Sequence, residues 1–454
     1  MPDTNAVPAN PAAPFAAARE QFPALALEQD GRPVVYADNP GGTQVPRACI
    51  EAIAAYLSGS NANTGGAFVT SRHSDAMLDE VHAATADLLN AADPREIVFG
   101  PNMTTLTFTL SRAIGRTLRP GDEIVVTALD HDANVAPWQA LAEERGAVVR
   151  MADVHLDTCT LDMDDLHTKI TDRTRVVAVG YASNAAGTIN DVATVAGWAH
   201  EAGALSFVDA VQYAPHGPID VQALGCDFLA CSSYKFFGPH LGILYGRLPL
   251  LEELPAYKVR PATDEPPGKW ETGTQSHEGL AGLLGTYEYL AALGRPHAAM
   301  RASTGPNRAS TGRPYADRFA EMSGRRLELH IALAAIQAHE RELAAQLLAG
   351  LATIPGVHIY GLAAPADLPR RVPTVMLTVA GHTPRELAEG LAARGIFAWD
   401  GNYYALNIME RLGLEPTGGA LRIGLAHYNT PAEVDRIIAA LRKVAGDEAS
   451  RQTS

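Results

Sequence analysis

Short apolar runs alternate with amphipathic stretches along most of the chain. The apolar runs predict β-strands at residues 96–100, 123–128, 175–181, 205–208, 228–231 and 241–246. Between them, apolar positions recur every three to four residues and predict helices, for example at 46–57 and 73–91. Strands that are apolar throughout and alternate with helices indicate a mostly parallel α/β sheet with both faces covered.

A second, smaller unit follows in the last third of the chain. A long amphipathic helix at 327–352 precedes short apolar strands and further helices, which predicts a small α/β domain. Between the units, the segment 301–314 is rich in Arg, Gly, Ser and Pro; we expect a solvated loop, with a lid or partner contact as the alternative. The predicted division is an N-terminal arm, partly disordered, at 1–30, a large domain at 31–295, a basic Gly/Ser/Pro loop at 296–326, a small C-terminal domain at 327–446 and a tail at 447–454.

Composition limits the classes of function. A chain of 454 residues with 47% hydrophobic residues can bury a large core. Its formal net charge of −15 argues against nucleic acid or an anionic membrane as the main partner. The four cysteines show no CxxC spacing, the first residues lack the features of a signal peptide, and no apolar run is long enough to span a membrane. We therefore expect a cytoplasmic enzyme without a metal site.

One acid and one lysine end two of the predicted strands. Asp209 follows the run 205–208, and Lys235 follows the run 228–231 after two serines and a tyrosine. A lone acid or lysine at a strand end is usually a cap or a surface charge, so the pair has to be judged together. Pyridoxal phosphate (PLP) requires both groups, because a lysine forms the Schiff base and an acid faces the pyridinium nitrogen. The pair therefore suggests this cofactor.

The residues around this pair form a specific pattern. Val-Asp-Ala-x-Gln at 208–212, Cys-Asp-Phe at 226–228 and Ser-x-x-Lys-x-x-Gly-Pro at 232–239 resemble the class V aminotransferase family, in particular its cysteine-desulfurase-like branch. The resemblance extends over roughly residues 30 to 445. It implies PLP fold type I, with a large, mostly parallel α/β domain, a smaller C-terminal α/β domain and a homodimer whose sites lie at the interface.

The resemblance also implies the residues that hold the cofactor. A helix that opens after Pro101 offers free N–H groups to a phosphate, with a simple N-cap as the alternative. The family's phosphate-binding threonine matches Thr104, its ring-stacking histidine matches His131, and the residue that bonds the phenolic oxygen matches Asn184. Thr274 would reach the cofactor of the neighbouring subunit. The implied cofactor-binding residues are Thr104, Met103, Asn102, His131, Asn184, Asp209, Gln212, Ser232, Tyr234, Lys235 and Thr274, and the catalytic ones are Lys235, His131 and Asp209.

The substrate side departs from the family pattern. Arg422 matches the arginine that pairs with the substrate carboxylate, a task that suits a planar guanidinium. Trp399 stands where desulfurases have a second arginine, and Tyr404, after Tyr403, stands where they have a mobile cysteine. No cysteine follows Cys231 in the sequence. A persulfide-forming desulfurase is therefore not expected, because that reaction needs a thiolate on a mobile loop.

Because the resembling branch of the family leans toward sulfur substrates, and elimination needs no cysteine in the protein, we expect a PLP-dependent lyase that carries out β-elimination on a cysteine-like amino acid. Two other reactions of the same cofactor stay open, namely transamination and epimerisation. Epimerisation would need a second acid or base on the opposite face, and Tyr403 and Tyr404 are the candidates for it. A PLP-binding protein without turnover is a further alternative. This alternative is disfavoured because a site without catalytic activity would not need all four of His131, Asp209, Lys235 and Arg422.

Overall fold

The structure is a computed structural model that describes residues 13–302 and 319–447. The helices are α1 (Ala13–Arg19), α2 (Arg47–Gly59), α3 (Val69–Leu89), α4 (Met103–Gly115), α5 (Ala136–Arg145), α6 (Met163–Lys169), α7 (Val192–Glu201), α8 (Val221–Leu224), α9 (Leu248–Glu253), α10 (His277–Ala302), α11 (Gly324–Leu351), α12 (Pro384–Ala392), α13 (Leu406–Arg411) and α14 (Pro431–Asp447). The strands are β1 (Glu28–Gln29), β2 (Arg32–Pro33), β3 (Val35–Tyr36), β4 (Ile97–Gly100), β5 (Glu123–Thr127), β6 (Val148–Ala152), β7 (Val154–His155), β8 (Thr160–Leu161), β9 (Thr174–Gly180), β10 (Leu205–Asp209), β11 (Phe228–Ser232), β12 (Gly242–Gly246), β13 (Val357–Tyr360), β14 (Thr374–Val379), β15 (Ile396–Phe397), β16 (Trp399–Gly401) and β17 (Ala420–Gly424).

The large domain is built on a seven-stranded sheet in the order β4-β12-β11-β10-β9-β5-β6. Six strands run in one direction, and β12 alone runs against its neighbours β11 and β4. The predicted α/β class and mostly parallel sheet are confirmed. The reversal follows from the short connection between β11 and β12, since neighbouring parallel strands need a longer crossover. Lys235 lies in that connection.

Both faces of this sheet are covered, which explains the uniformly apolar strands. On β10, Phe207 packs into one core together with residues of α4 and α5, whereas Val208 packs into the other with residues of α3, α7 and α10. The same alternation places Val98 and Phe99 of β4 in opposite cores. Apart from the edge strand β6, which is partly exposed, the strand faces are closed to water, so the polar ends of the strands are the places where ionisable groups can gather.

The small domain has its own sheet and core. Four antiparallel strands in the order β13-β14-β17-β16 pack against α11, α12 and α14. On β17, Leu421 and Ile423 enter this core, so the alternation along the strand turns Arg422 toward the large domain. A short parallel pair between β15 and β3 ties the chain before α2 to the small domain.

The connection between the domains differs in part from the prediction. Helix α10 continues to Ala302 with Pro296 inside it, so the first residues of the predicted loop at 296–326 are helical. Helix α11 begins at Gly324. The middle of the breaker-rich segment, 303–318, lies outside the described residues, as do 1–12 and 448–454. Within the described ranges, none of the helices combines the length and apolarity needed to cross a bilayer.

A buried cluster around His427 joins the N-terminal arm to both domains. His427 is fully buried, its Nε2 lies 2.5 Å from the Tyr289 hydroxyl, and its ring meets the edges of Phe22 and Phe237. Burial, with help from two neighbouring histidines, lowers the pKa of His427 to about 3. The neutral imidazole is therefore the form that the fold accepts.

Acidification should selectively remove the contribution of His427 to stability. Because its pKa is lower in the folded state, its contribution is complete above the unfolded value of about 6.5 and declines as the pH falls toward 3. We expect the difference in free energy of unfolding between wild type and His427→Gln to shrink between neutral pH and pH of about 4. Urea unfolding at several pH values measures it, and a difference that does not change with pH would contradict the assignment.

Candidate active site

A partly open cavity of about 90 Å³ lies at the carboxyl ends of β5, β9, β10 and β11, next to the first turn of α4. This is the edge at which open α/β sheets bind ligands. The predicted residues that line it are Asn102, Met103, Thr104, His131, Asn184, Asp209, Gln212, Ser232, Tyr234 and Lys235. The fold therefore brings together ten of the eleven residues that the sequence assigned to the cofactor.

Lys235 is held at the end of a single turn of 3-10 helix, Ser233–Lys235. Its Nζ donates to the carbonyl of Pro40 and lies 4.9 Å from the centroid of the Tyr234 ring. Burial and the charge of Arg422 lower the pKa of Lys235 to about 7, although two acids oppose the shift. An amine that is partly neutral near pH 7 can act as a nucleophile and as a base.

Asp209 ends β10 inside the same cavity. Its Oδ1 accepts a hydrogen bond of 2.9 Å from the N–H of Val211. Burial raises the pKa of Asp209 to about 6, and the Val211 bond and the charge of Lys235 limit the increase. The carboxylate is thus ionised at neutral pH but poorly solvated, which favours a cationic group opposite it.

His131 follows β5 and is neutral. Burial and the charges of Lys235 and Arg422 lower its pKa to about 4. Its Nδ1 accepts from the N–H of Ala133 at 3.0 Å, so the ring proton is on Nε2. On one side the ring stacks with Tyr404 at a centroid distance of 5.5 Å.

A second buried acid, Asp130, was not identified from the sequence. Its carboxylate accepts from the N–H of Gly180 at 2.7 Å and from Nδ2 of Asn134 at 2.9 Å, and so links the end of β9 to the His131 loop. Burial and the nearby Asp209 raise the pKa of Asp130 to about 8. Its position directly before His131, at a strand end, was the available signal.

The first turn of α4 is partly satisfied by the protein itself. Oδ1 of Asn102 accepts from the N–H of Thr105 at 2.8 Å, and Oγ of Ser232 accepts from the N–H of Met103 at 3.1 Å. The side chain of Asn102 is therefore an N-cap, the alternative weighed for this position. Thr104 lines the cavity, and its hydroxyl has no hydrogen bond to any other described residue.

Two amides complete the cavity wall. Nδ2 of Asn184 donates to the carbonyl of Tyr403 at 2.8 Å and retains a second N–H, while its buried Oδ1 has no partner within the described part of the chain. Nε2 of Gln212 donates to Oγ1 of Thr374 at 3.0 Å. A buried acceptor without a partner is costly unless a ligand satisfies it. Together with the acid, the amine and the helix start, it fits PLP.

A wider cavity of about 890 Å³ adjoins the first and shares part of its lining, including His131 and Lys235. Arg422 reaches it from β17 and is almost fully buried. Its guanidinium donates to the carbonyl of Asn184 at 3.1 Å and to Oδ1 of Asp38 at 2.9 Å, and its buried Nε has no partner among the described residues. This arrangement can receive a carboxylate.

The predicted aromatic residues line the wider cavity in different ways. Tyr403 is buried, lies 4.4 Å below the guanidinium of Arg422 and donates its hydroxyl to the carbonyl of Ala420. Tyr404 and Trp399 are 72% and 56% exposed and form the rim. Tyr403 therefore contributes its ring, and the rim residues contribute open aromatic faces.

Thr274 lies apart from the ten residues around the first cavity. It is exposed and lines neither cavity of a single chain. Its segment is anchored by Glu271, which bonds His82 at 2.9 Å and the N–H of Phe99 at 2.8 Å. A contact from Thr274 to the cofactor of a second subunit stays a prediction.

Comparisons with known proteins show the family to which the chain belongs. The family described as aminotransferase class-V matches residues 35–305 and 324–437. The chain is 30% identical over 446 residues to the cysteine desulfurase of Dickeya dadantii, covering 95% of this chain and 97% of that protein. It is 33% identical over 440 residues to the aminotransferase-like protein FGM3 of Gibberella zeae, covering 94% and 97%. Among solved structures, the cysteine desulfurase CsdA of Escherichia coli superimposes with a TM-score of 0.76 and 29% identity, covering 96% and 98%.

Replacement of Lys235 should abolish covalent attachment of PLP. After reduction with borohydride and unfolding, wild type should retain the cofactor on the chain, and Lys235→Ala should retain none, because among the described residues only Lys235 presents an amine to the cavity. Absorbance and intact-protein mass measure this. Lys269→Ala is the matched control, since Lys269 is also buried but donates to the carbonyls of Leu251 and Glu252. Equal labelling of wild type and Lys235→Ala would contradict the assignment.

Proposed function

Because this chain belongs to the aminotransferase class-V family and is PLP-dependent, we propose that it is a lyase that eliminates a β-substituent from an amino acid. The observation that carries the proposal is the combination of an amine, an acid and a carboxylate-binding arginine around one site with the absence of any accessible thiol there. All four cysteines are buried. Lys235, Asp209 and Arg422 can serve the removal of a proton from Cα, and elimination then needs no thiol of the protein.

Each of these groups has a definite task in this reaction. Bound PLP supplies an electron sink that stabilises negative charge at Cα. Arg422 orients the substrate by its carboxylate. Lys235, whose pKa is lowered to about 7, accepts the proton from Cα and returns it to the leaving group. Asp209, ionised at neutral pH, favours a protonated ring nitrogen, and His131 offers the N–H of its neutral ring as a hydrogen-bond donor.

The overall reaction balances without an oxidant. The Cα–H bond and the bond from Cβ to its substituent X break, and X leaves with a proton. Water then takes the place of the amino group, so one β-substituted alanine and one water give pyruvate, ammonia and HX. A sulfur substituent leaves as a thiol or as sulfide.

The cysteines support elimination over persulfide transfer. The thiol that takes sulfur from a substrate must be ionised and able to reach it. Cys231 is inside β11, and Cys49, Cys159 and Cys226 are inside the cores. Burial raises the pKa of Cys159 to about 11 and that of Cys226 to about 12. Tyr404 occupies the segment at which the desulfurase-like resemblance expects the reactive thiol.

Of the two tyrosines considered for epimerisation, Tyr404 is the one that stays open, because the hydroxyl of Tyr403 is already bonded. An epimerase needs a second acid or base on the opposite face of the substrate. Tyr403 is buried, burial raises its pKa, and its hydroxyl is already donated to a backbone carbonyl. Transamination remains an outcome that the product analysis below would reveal.

Elimination predicts a specific product balance. With S-ethyl-L-cysteine, the purified protein should release pyruvate, ammonia and ethanethiol in equal amounts, and Lys235→Ala should release none. Coupled lactate dehydrogenase, an ammonia assay and a thiol reagent measure the three products. Conversion of the cofactor to its amine form without ammonia would indicate transamination, and deuterium exchange at Cα with formation of the D-isomer would indicate epimerisation. Sulfur bound to the protein after incubation with cysteine would indicate a desulfurase.

We further propose a homodimer in which Thr274 contacts the cofactor of the partner subunit. Mixed dimers of Lys235→Ala and Thr274→Ala test this arrangement. If Thr274 acts across the interface, each mixed dimer has one intact site and regains activity that neither parent dimer has in full. If it acts within its own subunit, both sites are defective and mixing restores nothing. Thr272→Ala, an exposed change in the same segment, is the control.

A further inference from the structure

The acids around the wider cavity differ in what neutralises them. Asp38 is paired with Arg422 at 2.9 Å, and Asp400 is paired with Arg385 at 3.1 Å. Asp132 also lines this cavity, but its carboxylate has neither an ion pair nor a hydrogen bond to any residue that the structure describes. It is therefore the acid of this cavity that is available to a ligand.

Asp132 is partly buried, and this makes the missing partner significant. Burial raises the pKa of Asp132, and no positive charge of the described chain offsets that effect. A carboxylate that is removed from water without compensation is destabilised, and a cation brought next to it relieves the cost. Four charged groups face the same cavity from other elements, namely Lys235, Arg422, Asp38 and Asp400. Lys235 serves the cofactor and Arg422 the substrate carboxylate, while Asp38 is paired with Arg422 and Asp400 with Arg385.

The surroundings of Asp132 also suit a cation. Its backbone N–H donates to the carbonyl of Tyr404 at 2.7 Å, which fixes the acid next to the aromatic rim. The rim rings of Tyr404 and Trp399 are largely exposed, and the face of an aromatic ring attracts ammonium and guanidinium groups. One carboxylate beside open aromatic faces is a common way of recognising such groups.

The size of the cavity agrees with a long side chain. Its volume of about 890 Å³ exceeds what the short side chain of cysteine can fill. Part of this cavity borders the proposed cofactor site, and a substrate held at its carboxylate by Arg422 would place its β-substituent in the part that Asp132 lines. The remaining question is the chemistry of that substituent.

We propose that the substrate is an amino acid whose β-substituent ends in a cation, an ammonium or a guanidinium, and that Asp132 is the residue that selects it. This inference rests on the proposed function, because it concerns the group that the lyase removes. It changes the expected substrate from cysteine itself to a longer, positively charged relative.

A pair of substrates of nearly equal shape tests the selection. S-(2-aminoethyl)-L-cysteine carries an ammonium where S-propyl-L-cysteine carries a methyl group. We expect wild type to prefer the cationic substrate in kcat/KM by about 10- to 100-fold, the range of a charged hydrogen bond. Asp132→Asn should remove this preference and leave kcat/KM for S-propyl-L-cysteine nearly unchanged. Asp157→Asn removes an exposed carboxylate outside the cavity and should keep the preference.

A binding measurement tests the cation site independently of which reaction the protein catalyses. L-lysine and L-norleucine are compared by the change that each causes in the visible spectrum of the PLP-loaded protein. Tighter binding of L-lysine by wild type, lost in Asp132→Asn, supports the cation site even if no elimination occurs. Elimination from both cysteine derivatives with equal kcat/KM would overturn the cation site and leave the lyase standing. Equal binding of L-lysine and L-norleucine by wild type would also overturn it.

Discussion

The structure depends on placing an amine and a carboxylate, Lys235 and Asp209, in one buried cavity. Each charge is costly away from water, and burial shifts the pKa of both toward neutrality, to about 7 and about 6. The two groups partly compensate each other, because the charge of each opposes the shift in the pKa of the other. The position of Lys235 follows from the reversed strand β12. The short connection between β11 and β12, which contains Lys235, lies at the same edge of the sheet as the end of β10.

The same cavity joins the two domains. Arg422 belongs to the small domain, yet its guanidinium bonds the carbonyl of Asn184 in the large domain and Asp38 in the segment before α2. Gln212 reaches the small domain in the opposite direction, to Thr374. The site proposed for the substrate carboxylate is therefore formed only when the domains are docked, and the contacts of Arg422 also stabilise the docking.

Sequence patterns predicted the part of this arrangement that depends on residues close together in the chain. Asp209 and Lys235 could be found because each ends an apolar run, and the sheet followed from those runs. Asp38 and Asp130 could not be found in this way, because their roles come from partners far along the chain: Asp38 meets a residue 384 positions away and Asp130 one that is 50 positions away. The continuation of α10 through Pro296 likewise depends on packing against neighbours, which overrides the local preference.

The segment around Tyr403 and Tyr404 is built as a fixed wall. Both residues have left-handed backbone angles, φ 56° and 58°, a conformation that costs non-glycine residues of order 1–3 kcal/mol each. Three bonds hold it: the Tyr403 hydroxyl to Ala420, Asn184 to the Tyr403 carbonyl, and the Asp132 N–H to the Tyr404 carbonyl. A segment that carries sulfur away must move, whereas one that recognises a side chain must stay in place. The strain and the bonds together favour recognition at this position.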